Sequence, residues 1–196
     1  MLKEILKDHH IILASGSPRR QQFFKDLRLD FEIRLKPVEE IYPERLYKYE
    51  ISDYLAQLKS LPFKDELKEK DILITSDTIV WHEEKALGKP GGKEEAMAML
   101  RSLSGKSHEV ITSICFTTQS LQKTDNSSTK VYFRDLEESE IEYYVNTYKP
   151  YDKAGGYGIQ EWIGQIGIER IEGSYFNVVG LPVDKLYKNL KMFAVR

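Results

Sequence analysis

A chain of 196 residues with 41% hydrophobic and 31% charged positions can bury one substantial core and is not a disordered polymer. Lysine plus arginine (29) nearly balances aspartate plus glutamate (31), and a net charge of −2 argues against a nucleic-acid coat or a polybasic membrane-surface protein. The single cysteine, Cys115, excludes an internal disulfide framework and fits a reducing compartment; flanked by Ile114 and Phe116, it reads as a buried structural thiol. Met1-Leu2-Lys3-Glu4 lacks a basic region followed by a long apolar one, and no stretch is long enough to span a bilayer, so the expected location is cytoplasmic.

The first element is Ile11-Ile12-Leu13-Ala14, an unbroken apolar run suited to a strand buried on both faces. Ser15-Gly16-Ser17 turns the chain, and Pro18 after an N-capping Ser17 opens a helix. Strand, small-residue turn and helix N-terminus make an anion site, because free backbone N–H groups and the positive end of the dipole converge there. Arg19 and Arg20 add forked donors suited to phosphate, although a charged pair can equally be a solvated helix face. The stretch is not a P-loop, which needs G-x-x-x-x-G-K-[ST]. Residues 31–35 alternate and read as a strand with one wet face, followed by a loop over 36–40. Pro43-Glu44 can start the next helical region, which is helical by composition at 52–59.

A charged connector over 64–70 leads to residues 71–81, a β-rich run interrupted by one carboxylate, Asp77. Glu83-Glu84-Lys85 reads as a hairpin turn, with 86–90 returning. Residues 93–103 have helical spacing and stop at Ser104-Gly105. Strands are expected at 108–118 and 130–135, joined by a polar segment at 123–128. Acidic residues from Glu137 open a helix to about Tyr148, as the dipole prefers. The glycine-dense stretch 152–160 is expected to be an ordered loop, 175–179 a strand, and 183–193 a closing helix after Gly180-Leu181-Pro182. Alternating strands and helices place the chain in the α/β class.

Asp77 is the sharpest chemical signal, since an acid inside a strand must be paired, hydrogen-bonded or metal-bound if it is buried. Glu39 and Glu40 can add oxygen ligands for a hard cation such as Mg²⁺, or can simply be solvated. Lys59, Lys89 and Lys153 can neutralise phosphate as point charges, and each also reads as an ordinary surface lysine. His108, between a helix stop and a strand, reads as a structural hydrogen-bonding group. Zinc-site spacings and G-x-S-x-G are absent.

Taken together, several stretches resemble the Maf family of nucleotide pyrophosphatases. They are Ala14-Ser15-Gly16-Ser17-Pro18-Arg19-Arg20, Leu55-Ala56 with Lys59, Ser76-Asp77-Thr78, Gly88-Lys89-Pro90, and Leu103-Ser104-Gly105 with His108, Val110 and Thr112. Downstream come residues 152–160 and Gly173-Ser174-Tyr175 with residues 177–182, in family order over nearly the whole chain. Thr78 after the central aspartate, and Asp152-Lys153-Ala154-Gly155 before Tyr157-Gly158-Ile159-Gln160, look like the members that hydrolyse dTTP and UTP rather than the 7-methyl-GTP type. Thr75-Ser76 stands where Gly-Ala is common, Gly156 where Ala is usual, and Glu161-Trp162 where a glycine often follows.

The resemblance implies a single elongated two-lobed α/β domain over residues 1–196, with a mixed twisted sheet and an inosine triphosphatase-like fold. It implies an enzyme that converts dTTP and UTP with water into the monophosphate and pyrophosphate, limiting non-canonical or excess pyrimidine nucleotides. Asp77 would be the proton acceptor and a metal carboxylate, with Glu40 and its neighbour Glu39 helping to hold Mg²⁺ or Mn²⁺. Ser17, Arg19, Lys59 and Lys89 would bind phosphates, with Arg20 and Lys153 as further substrate-binding cations; Arg19, Thr78 and Gln160 would set base preference. The expected partner is a small nucleotide, not nucleic acid or membrane, with a homodimer left open. The rival readings are a modified-nucleotide pyrophosphatase of the 7-methyl-GTP kind and a nucleotide-binding regulator of cell division with little turnover.

Overall fold

In a computed structural model that describes residues 2–194, a short helix α1 (Leu2–Ile5) precedes strand β1 (His10–Leu13), whose last three residues are fully buried. Met1 and the last two positions of the 1–196 span lie outside the described residues. Helix α2 (Pro18–Asp26) follows, capped by Ser17, whose hydroxyl accepts from the Arg20 amide. Strand β2 (Phe31–Ile33) pairs parallel with β1, and a loop leads to α3 (Tyr49–Leu58). The segment after Pro43-Glu44 is a turn rather than helix; α3 starts only after Lys48, which sits at φ 50°. A 3₁₀ segment at Leu61–Glu66 then feeds β3 (Asp71–His82), which lies parallel to β1.

Glu83 and Glu84 turn the chain at φ 46° and 61°, the primed geometry that suits a tight hairpin, and β4 (Lys85–Leu87) returns antiparallel to β3. Helix α4 (Lys93–Leu103) buries Ala96, Met97, Leu100 and Leu103, the apolar spacing read from the sequence. The remaining elements are β5 (Ser107–Thr117), β6 (Gln122–Phe133), α5 (Glu138–Tyr148), α6 (Trp162–Gly167), β7 (Ile168–Glu172), α7 (Tyr175–Val179) and α8 (Val183–Phe193). The strands form a mixed sheet in the order β2-β1-β3-β5-β6-β7, with β4 paired to β3. None of the described helices is long and apolar enough to cross a membrane.

Two compact units emerge, Met1–Asp77 with Thr112–Ser127 and Gly180–Arg196, and Thr78–Ile111 with Ser128–Val179. The first has a core of Ile11, Leu13, Phe24, Ile72, Ile74, Phe116, Leu186 and Leu190, where β1 and β3 meet α2 and α8. The second is built on Leu100, Leu103, Val131, Ile141, Tyr144, Tyr157 and Ile163, where α4 and α5 pack. Cys115 is fully buried, and burial raises its thiol above the usual range, as expected of an inert structural thiol.

Two further sequence expectations fail for physical reasons. The polar segment 123–128 is not a linker but part of β6. Its side chains have partners: Asp125 takes Lys185 at 2.6 Å, and the Asn126 amide donates to both carboxylate oxygens of Asp53. Residues 175–179 form the helical turn α7, not a strand; the strand precedes it as β7. Gly173 at φ 129° reverses the chain, the Ser174 hydroxyl accepts from the Asn177 amide, and Asn177 Nδ2 donates to Val110 O and Thr129 Oγ1. Local capping and buried hydrogen bonds override the β-rich composition.

Candidate active site

In the first unit, β1 hands the chain to α2 through a hydrogen-bonded turn. Ser15, nearly buried, accepts from the Ser17 amide through its hydroxyl and from Gln21 Nε2 through its carbonyl. The N-terminus of α2 is therefore held rigidly, with Ser17 at its cap and Arg19 half-buried on its first turn. Arg20 is placed differently. Its Nε donates to Gly180 O and its Nη1 to Ser76 O, both at 2.8 Å. Desolvation lowers its proton affinity while nearby Asp77 raises it. Arg20 thus ties the helix start to the strand that carries Asp77.

Asp77 is 6% exposed on β3, and Lys59, at the C-cap of α3, donates to its Oδ1 at 2.6 Å. The same ammonium lies 3.2 Å from Glu40 Oε1. Burial raises the Asp77 pKa; the charge and hydrogen bond of Lys59 and the charge of Arg20 pull it back, and Glu40 adds to the rise. A carboxylate taken out of water yet hydrogen-bonded to a lysine ammonium can accept a proton, and the cations beside it suit a polyanion.

The carboxylates expected to hold a metal are placed as follows. Among the described residues no three His, Cys, Asp or Glu side chains are grouped to hold an ion. Glu40 and Asp77 share Lys59, and both Glu39 and Glu40 are exposed on the loop. Two carboxylates at one point fit Mg²⁺, which usually takes one or two protein carboxylates plus waters and substrate phosphates. Glu39 is not part of that pair.

In the second unit, Thr78 is half-buried on β3 and Lys89 is exposed beyond β4. The glycine-dense segment is an ordered loop. Gly155 donates its amide to Gly88 O, and at φ 70° an added Cβ would fall 2.9 Å from Val80 Cγ2, so only glycine fits. Lys153 is 9% exposed and pairs with Asp152 at 2.7 Å and Glu161 at 3.1 Å, so its charge is committed within the loop. Tyr144 OH donates to Glu161 and accepts from the Gly158 amide. Tyr157 OH meets His108 Nε2 at 2.6 Å. Burial, and secondarily His82, pulls His108 down to about 3, so the ring is neutral, as a structural reading expects. Gln160 emerges exposed from this scaffold and lines an open groove of about 410 Å³ with Gln165, Arg170 and Tyr175.

The sequence reading missed Tyr144, and it named Tyr157 and Glu161 only as parts of the 157–162 pattern, without their hydrogen-bonding roles. Tyr144 hides inside an ordinary amphipathic helix.

The match to known proteins is extensive. A family model described as Maf-like protein matches residues 10–193. A Christiangramia forsetii protein named dTTP/UTP pyrophosphatase is 63% identical over 97% of this chain and 97% of its own length. Proteins of that name from Flavobacterium johnsoniae and Bacteroides fragilis are 60% and 52% identical, covering 97% and 95% of this chain and 98% and 97% of theirs. With the match running from β1 to the last turn of α8 and taking in both units, the chain belongs to the Maf-like protein family.

Proposed function

We propose that this protein is a nucleoside triphosphate pyrophosphatase acting on dTTP and UTP. The observation that carries the reading is the Lys59–Asp77 pair, a 2.6 Å contact on the buried stretch of β3, with Glu40 on the same lysine. The names of relatives at 52–63% identity support the choice of substrate.

Water attacks the α-phosphorus in line, the bond to the β-bridging oxygen breaks, and the nucleoside monophosphate and pyrophosphate leave. Asp77 accepts the water proton, since desolvation keeps its proton affinity above that of an ordinary aspartate. Lys59 restrains Asp77 and offers charge to the phosphates; Lys89, exposed, and Arg19 with the capped start of α2 supply further phosphate contacts. A divalent cation on Glu40 and Asp77 would supply charge neutralisation at the phosphates. Thr78 and Gln160 set base preference. A Gln160 amide meets the N3–H and a neighbouring carbonyl of uracil or thymine, and meets cytosine less well. A cytoplasmic setting belongs to the same proposal and agrees with the lone buried thiol.

Pyrophosphate release from a panel of standard and modified triphosphates, with Mg²⁺, Mn²⁺ or chelator, tests the reading. dTTP and UTP should lead and chelator should lower turnover. A purine triphosphate or 7-methyl-GTP ahead of both would overturn the substrate assignment.

A further inference from the structure

Lys59 reaches Asp77 from the end of a helix, and something must fix that helix end against the strand. The last carbonyls of any helix lack intrahelical partners. Here the Lys59 amide bonds to Leu55 O and the Ser60 amide to Gln57 O, which passes over Ala56 O. The Thr75 hydroxyl donates to that carbonyl at 2.6 Å, fully buried. Residues two apart on a strand share a face, and residues three apart on a helix share a face. Thr75 and Asp77 on β3 therefore meet Ala56 and Lys59 on α3 as two parallel contacts, both in the first unit.

We infer that Thr75 is a positioning residue for the reaction: its hydroxyl latches the last turn of α3 to β3 and so sets the Lys59–Asp77 distance. The inference rests on the proposed role of that pair. Alternative supports are weaker on this side. The neighbouring Ser76 hydroxyl, on the opposite face of the strand, is buried with no partner among the described residues, and Arg20 holds the Ser76 carbonyl rather than that hydroxyl. At its start α3 is anchored where Ser52 meets Ser113 at 2.7 Å and Asp53 accepts from Ser113 at 2.6 Å. Near its end Gln57 Nε2 donates to Thr124 Oγ1 at 3.0 Å and Gln122 Nε2 to Ser60 Oγ at 2.9 Å, but these are exposed or part-buried side-chain contacts, whereas the Thr75 bond is fully buried and holds the backbone carbonyl itself.

The test compares Thr75→Val, which keeps the shape and removes the donor, with Thr75→Ala and with Thr75→Ser, which restores the donor. Misplacing a reacting group by about an ångström is costly, so Thr75→Val and Thr75→Ala should each lower kcat at least about tenfold with KM changed less than about twofold. Thr75→Ser should recover most of the loss. In a Lys59→Ala background Thr75→Val should cost nothing further, because it acts through Lys59. Independently of turnover, reductive methylation of the Lys59 amine, followed by mass spectrometry, should run at least about threefold faster in Thr75→Ala, as a loosened ammonium is better exposed. Unchanged kcat and unchanged labelling in the folded valine and alanine variants, beside an inactive Lys59→Ala, would overturn the latch alone. Full turnover in Lys59→Ala would overturn the latch together with the reading it rests on.

Discussion

Lys59 and Lys153 are each set against an acidic side chain away from water, one in each unit, and they are wired to opposite ends. Lys153 has its partner Glu161 closed off on every side the loop offers: Tyr144 donates to the same carboxylate, and that tyrosine in turn receives the Gly158 amide. These contacts tie the loop to itself and to α5, so the pair acts as a clasp. Lys59 reaches out to two carboxylates from a helix end, and one of them, Asp77, carries the cost of burial as a raised proton affinity. An ammonium and a carboxylate give a lock when hydrogen bonds close the ring around them and a reactive corner when the carboxylate is left desolvated.

The largest expected effect breaks the reactive corner. Asp77→Asn preserves size and removes the proton acceptor, so turnover of dTTP should fall by about 10²-fold or more while the thermal midpoint stays close to the parent's. Pyrophosphate release and a melting curve check both halves. Normal turnover would reduce the corner to a second clasp.

The next effect concerns the scaffold under the loop. His108 is neutral in the folded protein because burial lowers it from 6.5 to about 3. Below 6.5 the unfolded chain takes up a proton that the folded one refuses, so stability falls as pH drops between 6.5 and 3 and gains nothing further above 6.5. At pH 5 this amounts to about 2 kcal/mol at 1.36 kcal/mol per pH unit. Denaturant melts at pH 7 and 5 should show it, and His108→Gln should flatten that slope.

Lys153→Met opens the clasp. A pair with one partly exposed member lies between surface and fully buried cases, so a loss of about 1–2 kcal/mol is expected, with turnover hurt far less than by Asp77→Asn. A stable Lys153→Met protein that had lost turnover would move Lys153 back among the phosphate-binding cations. The smallest effect is at the groove: Gln160→Ala should narrow the preference for UTP over CTP by about 1 kcal/mol, roughly fivefold, and barely slow UTP itself. Competition assays with both nucleotides measure it.

Much of this was legible beforehand where the signal is local. A serine before a proline announces the start of α2, an apolar period of 3.6 announces α4, and a lone acid in a β-rich run announces Asp77. Residues 123–128 and 175–179 misled for the complementary reason: their conformations are held by Asp53, Lys185, Val110 and Thr129, which lie far away in the chain.

The sequence by itself determined the class of the fold, the family, the buried thiol and the identity of the central aspartate, because each follows from residue type and short-range spacing. Tertiary structure alone decided what the charges do. It committed Arg20 to two carbonyls and Lys153 to a clasp, left Glu39 apart from Glu40, and gave Lys59 to Asp77 with Thr75 at its back. The physical reason is that a charge is defined by what lies within a few ångströms of it, and those neighbours come from other strands and helices whose spacing no single stretch of sequence records.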